Sequence, residues 1–174
     1  MTGPPAGNRS WLSFRAVNRR DQTGYNAGLQ RHHILPLQLL RQAGTLGLFR
    51  ALGRERLRFD DFRSNGLLLP ANDHSALRIG LPLHRGPHNR YNQLVSERVG
   101  QIEAAWSSAR RTAPEAALVD ALARLELLQR ALRRRLLDQR RRLQLNRRDP
   151  LGSGTDFTEL DALVAELWPA TADE

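Results

Sequence analysis

His32 and His33 form a doublet, and 51 residues further on His84 and His88 stand four apart in the stretch LPLHRGPHNR; these are four of the five histidines in the chain. Neutral imidazole near pH 7 does two kinds of chemistry, ligating a metal ion or taking a proton. Two histidines four apart share a face if their segment is helical, with Cβ atoms about 5–6 Å apart, close enough to reach one ion. A doublet on a strand sends its two rings to opposite faces, one free to meet an ion and the other a substrate. The plainer reading is a pair of edge-strand residues and a pair of surface residues. The chain has no cysteine, so thiolate zinc sites, disulfides and a cysteine nucleophile are excluded, and any metal is held by nitrogen and oxygen.

The elements that must position these residues follow from the pattern around them. Residues 1–27 are rich in Gly, Pro, Asn and Arg, and read as an arm with one short helix. The doublet lies in RHHILP, a short extended run stopped by Pro36. Apolar residues from Leu37 to Leu52 recur at helical spacing, interrupted by Gly44 and Gly47, which fits two short helices or one broken one. SNGLLLP then reads as a turn leading into a buried strand, which pairs with the doublet strand in an antiparallel unit. His84 and His88 open a helix that continues to Trp106, with Pro87 in its first turn and Leu94, Val95, Val99 and Ile102 on one face.

A second helix is expected over 112–146, opened by a capping box at Thr112 and Glu115 and striped by Leu118, Leu122, Leu125, Leu128, Leu132 and Leu136. It ends in an arginine-dense stretch, and a last short helix is expected over 156–168. The simplest account of the acidic tail is that it packs near the arginines and neutralises them. The fold class is therefore α+β, mainly helical with one small antiparallel hairpin. The organisation is an arm (1–27), a core (28–106) and a C-terminal helical region (107–174).

All 27 basic residues are arginine, and the formal net charge is +9. Residues 1–100 hold 15 arginines against 6 acidic residues, so the excess sits in the half that carries the histidines. Guanidinium forks suit bidentate contact with phosphate, and fixed positive charge around a metal site favours a polyanionic substrate. The plainer reading of the same charge is a solvated surface. No run of about 18 apolar residues is present to span a bilayer, and the N-terminus shows no signal peptide. A cytoplasmic location is the default expectation, with export by a dedicated secretion system left open.

RHHILP, then SNGLLLP, then LHRGPHNRYN, in that order, resemble the signature of the AHH nucleases, a branch of the HNH/endonuclease VII superfamily with the ββα-metal fold. The resemblance covers about residues 28–106. It departs from the family pattern at Arg31, where the alanine before the doublet is expected. Carried over by position, it implies that His32, His84 and His88 hold one divalent ion (Mg²⁺, Zn²⁺, Ni²⁺ or Mn²⁺), that His33 is the general base, and that Asn65 orients or hydrogen-bonds it. The ion would contact a phosphate oxygen and the leaving 3′ oxygen. Arg31, Arg85 and Arg90 are candidate contacts to the nucleic-acid backbone, with DNA favoured over RNA. Tyr91 and Asn92 match the family motif, and His74 reads as a surface residue in a loop.

The resemblance also raises the question of a bacterial toxin or effector with an immunity protein as partner. Two rival classes stand beside the enzyme. One is a non-catalytic, arginine-rich nucleic-acid-binding protein, which metal titration discriminates. The other is a helical interaction protein forming a homodimer through the long leucine-rich helix, which sedimentation tests.

Overall fold

A computed structural model describes residues 11–152. The expected helix over 156–168 and the acidic tail lie outside the described residues. The order of elements is a 3₁₀ turn Phe14–Ala16, strand β1 (Leu29–His33), a 3₁₀ turn Leu37–Leu40, helices α1 (Ala43–Leu52) and α2 (Phe62–Asn65), strand β2 (Gly66–Pro70), and helices α3 (Asp73–Ile79), α4 (Asn89–Ala109) and α5 (Pro114–Leu137). This is α+β, mainly helical with one two-stranded antiparallel sheet, as the sequence pattern implies.

β1 and β2 pair in a register that sets His32 opposite Leu67 and His33 opposite Gly66. The turn expected at SNG is instead the end of α2: Asp61 caps that helix through Arg63 N, and Asn65 is its last residue. A Cβ on Gly66 would lie 2.2 Å from Cδ2 of Phe62, so only glycine lets the Phe62 ring fold over the start of β2.

α4 and α5 pack on each other, on α1 and on the sheet around one core that includes Ile34, Leu35, Leu69, Val95, Val99 and Leu125, all fully buried. Four leucines of α5, at 125, 128, 132 and 136, are buried in it. Each contributes about 1.5–3 kcal/mol by burial, against at most about 1 kcal/mol from a half-exposed ion pair such as Arg124 with Asp120. Apolar packing within the chain therefore holds α5. The C-terminal part of the leucine stripe is buried inside the molecule, with Leu118 and Leu122 partly buried against the same core.

α5 is also shorter than the expected 112–146. Pro114 is its first residue after Ala113, and the Thr112 hydroxyl donates back to Ala109 O at 3.2 Å instead of capping the helix, so no capping box forms. At the other end Asp138 accepts from Arg140 N and Arg141 N, and the chain turns away. Arg133 is drawn inward, donating to the carbonyls of Arg63, Ser64 and Gly66 at 2.7, 3.2 and 3.0 Å where α2 gives way to β2.

Candidate active site

The strand period places the two members of the doublet on opposite sides of β1. His32 is 3 % exposed and faces inward, where its ring lies 4.9 Å from His84, 5.7 Å from His88 and 5.1 Å from Tyr91, measured between centroids. His33 is half-buried on the other side, stacked against Phe14.

His84 and His88 reach His32 by a route the sequence did not show. They do not share a helix face: α4 begins at Asn89 with His88 as the residue before it, and His84 lies in the loop that precedes it. Pro82 and Pro87 disfavour helix in the residues before them, and Gly86, at φ +80°, supplies a left-handed turn between the histidines. The loop is fixed by His84 N donating to Pro70 O at 2.7 Å, which ties His84 to the end of β2, and by fully buried Leu83. The turn then brings the His84 and His88 rings to a centroid distance of 4.3 Å.

One ring nitrogen from each of His32, His84 and His88 lies within 4.8 Å of the others. His32 Nε2 and His88 Nδ1 are buried and without a hydrogen-bond partner among the described residues. Orphaned buried nitrogens of this kind are costly unless something takes their lone pairs. His84 Nδ1 lies 3.1 Å from Gln30 Oε1, and because an amide oxygen only accepts, Nδ1 carries the proton and Nε2 is free. Burial pushes His32 well below the ordinary histidine range and His84 down to about 4, and the neighbouring imidazoles push the same way. His88 is lowered by burial too, with the Leu145 backbone beside it working in the opposite direction. Three neutral imidazoles converging on one point suit a divalent cation and repel a proton.

His33 is lowered by burial first; Asp60 opposes this, while Arg54 and Arg31 reinforce it. The ring is therefore neutral at pH 7. Asn65, fully buried, spends its side chain on the chain just past the doublet: Oδ1 accepts from Leu35 N at 2.7 Å, and Nδ2 donates to Leu35 O at 3.2 Å and Phe59 O at 3.0 Å. Its backbone oxygen accepts from Ile34 N at 2.8 Å. Asn65 thus holds the exit of β1, directly after His33, through the backbone of Ile34 and Leu35. Tyr91 adds a second clamp, its buried hydroxyl donating to Ile34 O at 2.6 Å.

Arg85 and Arg90 line a cavity of about 620 Å³ whose walls include the sequence neighbours of His84 and His88 but neither histidine. Arg31 lies apart from them, lining a cavity of about 700 Å³ with Arg15, Arg19 and Arg20, and its Nη1 donates to Phe14 O at 2.8 Å. His74 sits in the first turn of α3, on a helix and not in the expected loop, exposed and away from the cluster.

A family model described as a nuclease family of the HNH/ENDO VII superfamily with conserved AHH matches residues 13–132. The chain belongs to the AHH nuclease family. The AHH match begins earlier and ends later than the motifs alone span, taking in Phe14 and most of α5. No curated protein and no solved structure matches the chain. As an AHH protein it carries Arg31 where the family name has alanine, and one nitrogen of that side chain donates to Phe14 O. Sequence reasoning missed two residues of this AHH site. Gln30 was legible in principle, since it stands two before His32 on the same strand face. Phe14 was not, because nothing in the arm's composition says where it folds.

Proposed function

We propose that this protein is a metal-dependent endonuclease that hydrolyses phosphodiester bonds, with DNA favoured over RNA, using His33 as general base and one divalent ion held by His32, His84 and His88. The observation that carries this reading is the division of labour across β1: three imidazole nitrogens within 4.8 Å on one side, and a fourth, neutral imidazole on the other. The donor set of nitrogens and no thiolate fits Zn²⁺ or Ni²⁺ best, and Mg²⁺ and Mn²⁺ remain in the test set. When bound, such an ion supplies positive charge where negative charge gathers on the phosphate.

The protein's own residues do the rest. The neutral His33 imidazole accepts a proton from the attacking water as the water oxygen bonds to phosphorus and the bond to the 3′ oxygen breaks, and that oxygen leaves with the bonding pair and takes a proton from solvent. Phe14 holds the base in plane, and Gln30 holds His84 with its free nitrogen toward the other two histidines. Arg85, Arg90 and Arg31 contact phosphates on either side.

The test is plasmid DNA and, in parallel, RNA, incubated with purified protein and Mg²⁺, Mn²⁺, Zn²⁺ or Ni²⁺. Nicking that EDTA abolishes is the expected result. No cleavage of either polymer with any of these metals would leave the arginine-rich binding protein as the better reading.

A further inference from the structure

The segment that follows α5 returns to the histidine cluster. Leu143 and Leu145 are buried in the core at 1 % and 6 % exposure. The Asn146 side-chain amide donates to Arg85 O, and the Asp149 carboxylate accepts from Leu83 N at 2.8 Å and Leu151 N at 3.0 Å. The segment is thus fastened to the loop that carries His84, and it forms the opposite wall of the cavity of about 620 Å³. Four arginines line that cavity: Arg85 and Arg90 from the loop and α4, and Arg147 and Arg148 from the returning segment. Among the described residues none of the four pairs with a carboxylate, and the acids of the segment, Asp138 and Asp149, are turned to backbone N–H groups. The N-terminus of α4, 21 residues long, opens into the same space at Asn89, adding its positive end.

We infer that this cavity is a phosphate-gripping subsite for a nucleic-acid strand, in which Arg147 and Arg148 act together with Arg85 and Arg90 on successive phosphates along the loop that carries His84 and His88. The inference rests on the nuclease reading for its choice of ligand. Planar forks in a fixed wall suit phosphodiester oxygens, whose two non-bridging atoms accept in pairs. Arg147 and Arg148 lie beyond the residues the family model matches, so this half of the grip belongs to the chain's own C-terminal segment.

The experiment measures binding without catalysis. A labelled DNA duplex and a labelled single-stranded RNA are titrated with protein in EDTA, by fluorescence anisotropy, across a series of salt concentrations. Each phosphate contact contributes a slope of about −0.9 in log affinity against log salt on duplex DNA and about −0.7 on a single strand. Arg147→Ala/Arg148→Ala is expected to weaken binding and make the slope shallower by about 1.8 if duplex DNA is preferred or about 1.4 if the single strand is, with an unchanged melting temperature, because both side chains are exposed. The control Arg41→Ala/Arg50→Ala removes the same charge from exposed positions outside the cavity and should leave the slope as it was. An unchanged slope in the first variant, an equal loss in the control, or no binding of either polymer by the wild type each overturns the inference. If the wild type cleaves but the slope does not respond, the nuclease reading survives and the subsite falls. If the slope responds and no metal supports cleavage, the reverse holds.

Discussion

The Phe14 ring lies flat on the His33 imidazole, centroids 3.8 Å apart and planes inclined by 5°. Phe14 is itself held: Arg31 binds its carbonyl, Phe62 meets its edge at 5.1 Å, and Ser13 bridges to Asp61. An aromatic pair of this kind contributes about 0.5–1.5 kcal/mol. If that energy serves to hold the base in place, Phe14→Ala should slow cleavage roughly 2- to 12-fold. Metal affinity should not change, and Phe14→Tyr should restore the rate. A variant that loses metal and activity together would mean that Phe14 supports the fold and not the base.

His33→Ala should lower cleavage by about 10²–10⁴-fold, the usual contribution of a general base, while calorimetry finds metal binding intact. His84→Ala and His88→Ala should lose both. If His33→Ala loses metal and His32→Ala keeps it, the roles within the doublet are exchanged. If His33→Ala cleaves at the wild-type rate, the mechanism is wrong.

Gln30 hydrogen-bonds Nδ1 of His84, and in the proposed site it would act on the ion through that histidine. Removing an outer partner of a ligating histidine typically costs about 10–100-fold in metal affinity, and Gln30→Ala should fall in that range. Because its oxygen fixes the proton on Nδ1 of His84, Gln30→Glu, which still accepts there, should bind metal better than the alanine variant. Wild-type affinity in Gln30→Ala would show that the 3.1 Å contact is incidental.

Acid should destabilise the metal-free protein. The folded-state values of His32 and His84 lie below the ordinary 6.5 expected in the unfolded chain, chiefly through burial. Between 6.5 and about 4, the value for His84, the unfolded chain therefore binds more protons than the folded one. The contribution to stability is complete above 6.5 and is lost as the pH falls. The urea midpoint should drop between about pH 7 and about pH 5, and less so in His84→Gln. A midpoint that rises over this interval would contradict the burial of these rings.

Asn65→Ala should destabilise the fold by about 2–4 kcal/mol, since it strands the buried N–H of Leu35 and the carbonyls of Leu35 and Phe59. Urea denaturation measures this directly. A cost under about 0.5 kcal/mol, the level of a surface change, would mean that the loop after β1 holds without it.

The fold class, the doublet strand and the convergence of His32, His84 and His88 were legible because each rests on local period or on motif order. Two things were not. The sequence placed His84 and His88 on a helix because their spacing fits one, but the prolines flanking Gly86 override that spacing, and the rings meet through a loop turn. The ends of α5 were overdrawn because a leucine stripe and a capping pattern say where a helix is favourable, whereas Asp138 and the buried pair Leu143 and Leu145 decide where the chain leaves it. Contacts of long sequence separation, such as Phe14 on His33 or Gln129 on Asn65, leave no mark in any window of neighbouring residues.

The pairing of β1 with β2, His32 against Leu67 and His33 against Gly66, makes the chemistry a matter of parity. Side chains change sides with every step along a strand, so inserting or deleting one residue in β1 before the doublet would turn His32 outward and His33 toward His84 and His88. Both histidines would still be present, and a search for the motif would still find them, yet the ring in the three-histidine cluster and the ring stacked on Phe14 would have traded places. Gain or loss of two residues keeps the parity. Lineages of this chain should therefore reject odd changes of length within the strand.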